Sequence, residues 1–322
     1  MRDRIALFLT FIIITICAIF IKQDVIWEHL KEAYILFTPK PTISVVMSSY
    51  NMGGSLINAI DSIIAQTYTN WELIVIDDGS KDITAKNLRR YRLNPKIRTI
   101  TNHKNMGLIY SLNKGITKAR GKYIARLDAD DYSYPDRFER SIKLLENENL
   151  DLIGAWCSEG NFLYNNKAPN YLNTLGIGLY LLVENNFCHS AIMMRKSFLD
   201  EHNIKYNPEY KNAEDYDLWM SVFMNGGKMA YMGGNPLSKY GRSAHSKEWF
   251  DKQHSSALKV KEKALSQIIP NVDDKLLKTT MTQLIPHIVK GNKTTKFFDQ
   301  KELTNCQKTK CYKYEQTLTQ RL

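Results

Sequence analysis

Residues 43–79 read ISVVMSSYNMGGSLINAIDSIIAQTYTNWELIVIDDG, and the order of patterns within them decides the fold class. Ile43 to Met47 is a short run rich in β-branched residues, as expected for a strand covered on both faces. A polar turn at 48–54 follows, then Leu56, Ile57, Ile60, Ile63 and Ile64 recur at helical spacing. Trp71 to Ile76 is a second buried strand, closed by Asp77-Asp78-Gly79-Ser80. A helix over 84–92, a strand over 97–100, a helix after Asn105-Met106-Gly107 and a strand over 123–127 repeat the theme. Such strand–turn–helix units predict an α/β fold with a mostly parallel, Rossmann-like sheet flanked by helices. Ligands of these sheets sit outside the carboxyl ends of the strands, where this chain concentrates Ser, Tyr, Asn and Asp.

The turn after the first strand excludes two ligand classes. Ser48-Ser49-Tyr50-Asn51-Met52-Gly53-Gly54 is neither the G-x-G-x-x-G of a dinucleotide fold nor a P-loop. Its hydroxyls, ring and amide suit a nucleobase and ribose better than a pyrophosphate.

Around this core, 322 residues with 43% apolar and 24% charged side chains have ordinary globular composition. Residues 5–21 (IALFLTFIIITICAIFI) carry no charge and reach about 25 Å as a helix, enough for a membrane anchor. Without a small-x-small cleavage site they read as an uncleaved anchor, followed by a juxtamembrane amphipathic helix at 24–37 and a break at Thr38-Pro39-Lys40-Pro41. Of the net charge of +11, most sits beyond residue 246, where 15 Lys and Arg face 8 Asp and Glu. A basic tail suits anionic headgroups or phosphate-bearing substrates, and a solvated helical face is the alternative. Five Cys without a CxxC argue against a disulfide framework or structural zinc and for a reducing compartment. Cys306 and Cys311, the close pair, read as unrelated thiols.

Two acidic clusters carry the chemistry. Arg126-Leu127-Asp128-Ala129-Asp130-Asp131 follows a buried strand, and its three carboxylates repel unless a cation relieves them. Hard divalent ions such as Mg²⁺ or Mn²⁺ take carboxylate oxygens and keep substrate phosphates as further ligands. A metal–diphosphate clamp and an Asp-rich capping turn are both consistent with the spacing. The second cluster, Glu214-Asp215-Tyr216-Asp217, opens a helix and reads either as capping or as a general base with its pKa held up by its neighbours.

Residues 42–246 resemble the family 2 glycosyltransferases of the GT-A fold. The resemblance rests on SVVMSSYN, on AIDSIIAQTYTNWELIVIDDGSKD and on NMGLIYSLNKGITKARGKYIARLDADDYSYPDRFE. It continues through CHSAIMMRKS and AEDYDLWM to Tyr240-Gly241-Arg242-Ser243-Ala244-His245. It implies a nucleotide-sugar half over 42–135 and an acceptor half over 136–246, followed by a basic helical extension over 247–322. By the same resemblance Ser48, Tyr50 and Asn51 form the base loop, and Asp77 and Asp78 contact base or ribose. Asn105, Arg126 and Asp128 belong to the donor site, while Asp130, Asp131 and His245 hold a divalent cation, Mn²⁺ or Mg²⁺. Asp215 matches the catalytic base, with Glu214 orienting it or touching sugar hydroxyls, and His189 and Trp219 lie on the acceptor side; core roles for His189 and Trp219 are the competing assignments.

The implied reaction is metal-dependent, inverting transfer of a hexosyl group from a nucleotide donor, such as a UDP-hexose or UDP-N-acetylhexosamine, to an acceptor hydroxyl. With the anchor, the expected acceptor is a growing envelope glycan or glycolipid, such as a lipopolysaccharide core, with the catalytic domain on the cytoplasmic face of the inner membrane. No nucleic-acid partner is expected. Rivals are a catalytically silent nucleotide-sugar-binding scaffold and a sugar-nucleotide pyrophosphorylase, the latter disfavoured because SSYNMGG lacks Lys and Arg.

Overall fold

The computed structural model describes residues 39–159, 171–172, 174–182, 185, 187–241 and 247–268. The expected anchor at 5–21, the juxtamembrane helix at 24–37, His245, the tail beyond 268 and Cys306 and Cys311 lie outside the described residues. Among the described residues no helix is long and apolar enough to cross a membrane.

Strand β1 (Ile43–Ser49) pairs in parallel with β2 (Trp71–Asp77), which is buried along its whole length. Parallel pairing continues from β2 to β3 (Ile97–Thr101), and from the other side of β1 to β4 (Tyr123–Arg126). Helices α1 (Leu56–Ile64), α2 (Thr84–Leu88) and α3 (Leu108–Lys118) make the three crossovers. Because successive strand side chains point to opposite faces, the sheet supplies two cores. Val45, Met47, Leu73 and Val75 meet Leu56, Ile60 and Ile63 of α1, while Val46, Ile74 and Ile124 meet Leu112 and Ile116 of α3. Each fully buried side chain of this size contributes about 2 kcal/mol. Gly115 sits where α3 crosses β1, and a Cβ there would collide with the Val46 side chain. That close approach explains a glycine inside a helix, where it costs about 1 kcal/mol in propensity.

Beyond β4 the sheet becomes mixed. Helix α4 (Arg137–Asn147) leads to β6 (Leu152–Ala155), and β9 (Met193–Arg195) lies antiparallel between β4 and β6. Strand β10 (Met229–Met232) pairs in parallel with β6 and antiparallel with β8 (Tyr171–Leu172), completing eight strands. A smaller sheet of β5 (Tyr132–Ser133), β11 (Ser238–Tyr240) and β7 (Cys157–Glu159) crosses the end of the acidic loop. Helices α5 (Thr174–Leu181) and α6 (Lys196–Glu201) flank the mixed half. Helix α7 (Glu214–Met224) buries Tyr216, Leu218, Trp219 and Val222, and α8 (Lys247–Ile268) joins the same core through Val260, Ala264 and Leu265.

The cysteine reading is corrected at one point: Cys157 and Cys188 are disulfide-bonded, with Cα atoms 5.7 Å apart across 31 residues of sequence. Counting and local spacing miss a pair that only the contact between β7 and the segment before β9 brings together.

Candidate active site

Strands β1 to β4 deliver their carboxyl ends to one edge of the sheet, and the acidic loop starts where β4 ends. Arg126 is 2% exposed, which a guanidinium tolerates only when paired. Both its terminal nitrogens fork onto the two oxygens of Asp128. Fully buried Ser190 ties this pair down. Its Oγ accepts from Arg126 Nη1 and from the Asp128 N–H, each at 3.0 Å, and donates to Asp131 Oδ2. The hydroxyl is thereby saturated, with one donated and two accepted bonds. From beneath, Arg137 Nη2 donates to the carbonyl of Arg126 at 2.8 Å. Burial and the charge of Arg126 bring the Arg137 pKa down to about 9.

The three acids of the loop separate by role. Asp128 and Asp130 line the cleft. Asp131 is 4% exposed and accepts the Gly241 N–H at 2.8 Å on the oxygen that Ser190 leaves over. Burial, then the charge of Asp128, pushes its pKa up to about 6. Asp131 therefore braces the loop. Among the described residues no three His, Cys, Asp or Glu side chains converge as a metal cage. A Mg²⁺-like ion that keeps phosphate and water ligands needs only one or two carboxylates. The crowding of negative charge that raises Asp131, beside a cleft-lining Asp130, fits such an ion.

At the carboxyl end of β2, Asp78 is buried. At 2% exposure its carboxylate accepts from Asn102 Nδ2 at 2.7 Å and from the N–H groups of Met106 and Gly107 at 2.9 and 2.8 Å. Asp77, equally buried, accepts the Ser80 N–H at 3.0 Å. Both shape the loops after β2 and β3, at the sheet edge where the base and ribose are expected. Between those loops Gly79, at φ 73°, leaves room for the Lys104 backbone, 2.6 Å from where a Cβ would sit. Asn51 adopts φ 54°, its N–H donates to Ser80 Oγ at 3.0 Å, and its Oδ1 accepts the Lys81 N–H at 2.9 Å. Ser48 is half-buried at the end of β1, and Tyr50 is 39% exposed. Exposed Asn105 accepts the Gly107 N–H at 3.0 Å.

Across a cleft of about 990 Å³ from Asp128 and Asp130 stands the start of α7, with Glu214 and Asp215 in the lining. Asp215 Oδ2 accepts from Asn185 Nδ2 at 2.9 Å and Oδ1 from the Tyr216 N–H at 2.7 Å. Loss of solvent raises its pKa and outweighs both hydrogen bonds. Glu214 is raised by burial and then by the charge of Asp215, and its Oε2 is buried without a partner. Asp217, next on the helix, points away from the cleft to Lys263 of α8 at 2.8 Å.

His189 also lines the cleft. Its Nε2 meets the Tyr206 hydroxyl at 2.7 Å, and burial and the charge of Arg126 hold its pKa well below the usual imidazole range. Trp219 is fully buried, its ring edge-on to His189 at 5.8 Å. It backs the histidine from the core and offers no face to a sugar, which corrects the acceptor-side expectation for it. Asn185, Ser190 and the cleft wall formed by α8 were missed from sequence. Ser190 stood within the quoted CHSAIMMRKS, but nothing local says that its hydroxyl reaches three groups.

The sequence model described as Glycosyl transferase family 2 matches residues 44–202. An uncharacterized glycosyltransferase of Haemophilus influenzae is 31% identical over 272 residues, which are 80% of this chain and 84% of that protein. The chain belongs to glycosyltransferase family 2. The putative glycosyltransferase EpsE of Bacillus subtilis is 33% identical to this family 2 glycosyltransferase over 193 residues, 58% of this chain and 68% of EpsE. Among solved structures, S. aureus TarS 1-349 in complex with UDP superposes with a TM-score of 0.59 at 17% identity, over 76% of this chain and 70% of that one. The mannosyltransferase PcManGT of Pyrobaculum calidifontis, in complex with GDP-Man and Mn²⁺, gives 0.59 at 14% identity over 96% and 94%. These likenesses establish the GT-A fold of this family 2 glycosyltransferase. Its candidate base helix α7 lies beyond the residues that the family model matches.

Proposed function

We propose that this glycosyltransferase moves a hexosyl group from a nucleoside diphosphate sugar to a hydroxyl of an envelope glycan or glycolipid, with inversion at the anomeric carbon. The observation that carries the reading is a desolvated carboxylate, Asp215, facing the Arg126-Asp128-Asp130 edge across one cleft. The UDP complex of TarS and the GDP-Man complex of PcManGT support a nucleotide-sugar donor. Asp130, with Asp131 and His245 as the further expected ligands, would hold a divalent cation, which when bound supplies neutralisation of the departing diphosphate.

The chain's own residues do the rest. Arg126 and Ser190 hold the acidic loop rigid. Asp215, kept in the right orientation by Asn185 and the Tyr216 N–H, removes the proton from the acceptor hydroxyl as its oxygen attacks. Glu214, with its spare oxygen, receives a hydrogen bond from a sugar hydroxyl. Neutral His189, held by Tyr206, lines the path without adding charge. With Asp215 as the base and Glu214 assigned to the sugar hydroxyls, the reaction is a single displacement, so an α-linked donor gives a β-linked product. Residues 42–135 form the donor half and 136–246 the acceptor half. Residues 5–21 anchor the chain so that this domain meets the cytoplasmic nucleotide-sugar pool.

The test is a radiolabelled panel of UDP- and GDP-sugars with Mn²⁺ and the purified full-length protein, with NMR of the anomeric centre. Donor turnover that Asp130→Asn abolishes, and a β-linked product, are expected. Full activity of Asp130→Asn in EDTA would reject the cation assignment, and an α-linked product from an α-linked donor would reject inversion.

A further inference from the structure

Residues 83–127 carry 12 Lys and Arg and no Asp or Glu, more positive charge than the net +11 of the whole chain. The fold gathers much of it along one side. Strand β3 is the outer edge of the eight-stranded sheet. On one flank, α2 and the 3-10 turn Arg89–Tyr91 present exposed Lys86, Arg89 and Arg90. On the other, α3 brings Lys114 and exposed Lys118, four residues apart and so on one helix face. Arg98 of β3 lies against this second flank, its Nη1 donating to the Lys118 carbonyl at 3.2 Å, and Lys114 Nζ reaches Asn102 just past β3 at 2.7 Å. The acids near the strip are few and engaged. Asp61 accepts from the Tyr91 hydroxyl at 2.7 Å, and Asp82 accepts the N–H groups of Gly53 and Thr84. Glu72 and Glu146 are matched by Arg120 and Lys122, a pairing that leaves the charge of the strip as it is.

In the turn between Arg92 and Lys96, Leu93 is 54% exposed. That turn is held in shape: the Asn94 N–H donates to the Tyr91 carbonyl at 3.0 Å and the Ile97 N–H to the Asn94 carbonyl at 3.1 Å. An aliphatic tip among cations suits a surface that is anionic at its headgroups and apolar beneath them. A guard against edge-to-edge strand pairing needs charge on β3 alone, whereas here the helices on both flanks carry it. A nucleic-acid backbone would satisfy the cations but offers nothing to Leu93. The same end of the strip is where the expected anchor joins the body. Lys96 Nζ donates to the Thr69 carbonyl at 2.7 Å, and the next carbonyl, of Asn70, accepts the N–H of Thr42, where the chain from the uncharged run at 5–21 arrives. We infer that the β3 edge is a docking surface for an anionic phospholipid bilayer, with Arg89, Arg90 and Lys118 on the headgroups and Leu93 among the upper acyl chains. The surface is separate from the cleft and stands whether or not transfer occurs.

Hydrogen–deuterium exchange of the full-length protein reads the contact, with nanodiscs of phosphatidylcholine alone compared with an equal mixture of phosphatidylcholine and phosphatidylglycerol. Peptides within 86–98 should be protected by the anionic discs and not by the neutral ones, and high salt should remove the protection. A cation near such a surface is worth about fivefold. Arg89→Glu with Arg90→Glu removes two attractions and adds two repulsions, so the docking equilibrium read from that protection should fall about tenfold or more. Arg89→Lys with Arg90→Lys should retain it, and Leu93→Ser should lower it about tenfold. All three sites are exposed or half-exposed, so an unchanged denaturant midpoint is expected in each variant. Equal exchange in the two kinds of disc, or protection unaltered by the double Glu variant, would overturn the surface. Protection of the same peptides by a single-stranded RNA oligonucleotide and not by the anionic discs would overturn the lipid assignment in favour of nucleic acid.

Discussion

Asn185 donates to Asp215 at 2.9 Å from 30 residues away in sequence, so the candidate base is oriented by a residue of the segment before β9. The hydrogen bond favours the charged carboxylate, against a loss of solvent that favours the neutral acid. Desolvation wins, so the acid limb of kcat/KM should lie above the ordinary Asp value of 3.8, with activity rising as Asp215 loses its proton. Asn185→Ala removes a lowering influence and should move that limb to still higher pH. A limb that stays in place or moves down would separate Asn185 from the base.

Replacing the base itself should leave donor binding alone. Asp215→Asn keeps the size but turns one of the two accepting oxygens into an NH2 donor and cannot take a proton, so kcat should fall about 10²- to 10⁴-fold. Nucleotide affinity, followed by calorimetry, should be unchanged. A variant that loses affinity and keeps kcat would mean that Asp215 binds the donor.

Ser190→Ala deprives Arg126, the Asp128 N–H and Asp131 of a shared partner in a buried setting. A destabilisation of about 2–3 kcal/mol is expected, read as a lower denaturant midpoint at constant m-value. Donor affinity should weaken with it, because Asp128 and Asp130 lose their fixed loop. Unchanged stability would show that water replaces the hydroxyl there.

Lys263→Met breaks the 2.8 Å pair to Asp217, whose side chain is 3% exposed. The stranded carboxylate should cost about 1–2 kcal/mol, less than a fully buried pair because Lys263 is itself partly solvated. Adding Asp217→Leu should recover most of the loss, since a carboxylate no longer needs its counter-ion. If the double variant is no better than the single one, the pair is not what secures α8 to α7.

The parallel half of the fold was legible because its strands and helices are long enough to show their periods. The run at Ile43 to Met47 and the helical repeat of Leu56, Ile60 and Ile63 became β1 and α1 almost residue for residue. Strand β9 and the small three-stranded sheet were not legible, since two or three residues carry no period. The acids were found, but not their directions. Spacing places Asp78 and Asp131 at the sheet edge, whereas backbone N–H groups of distant loops decide that both turn inward. The same limit hid Asn185 and the Cys157–Cys188 bond, each made by segments about thirty residues apart.

Three-residue β9, locked to β4 on one side and β6 on the other, has a consequence for the acidic loop beside it. Ser190 arrives just ahead of it, so the anchorage of the donor floor is fixed by a strand rather than by the loops around it. The acids beside β4 thus keep their places through one hydroxyl carried in front of a strand gripped along both edges.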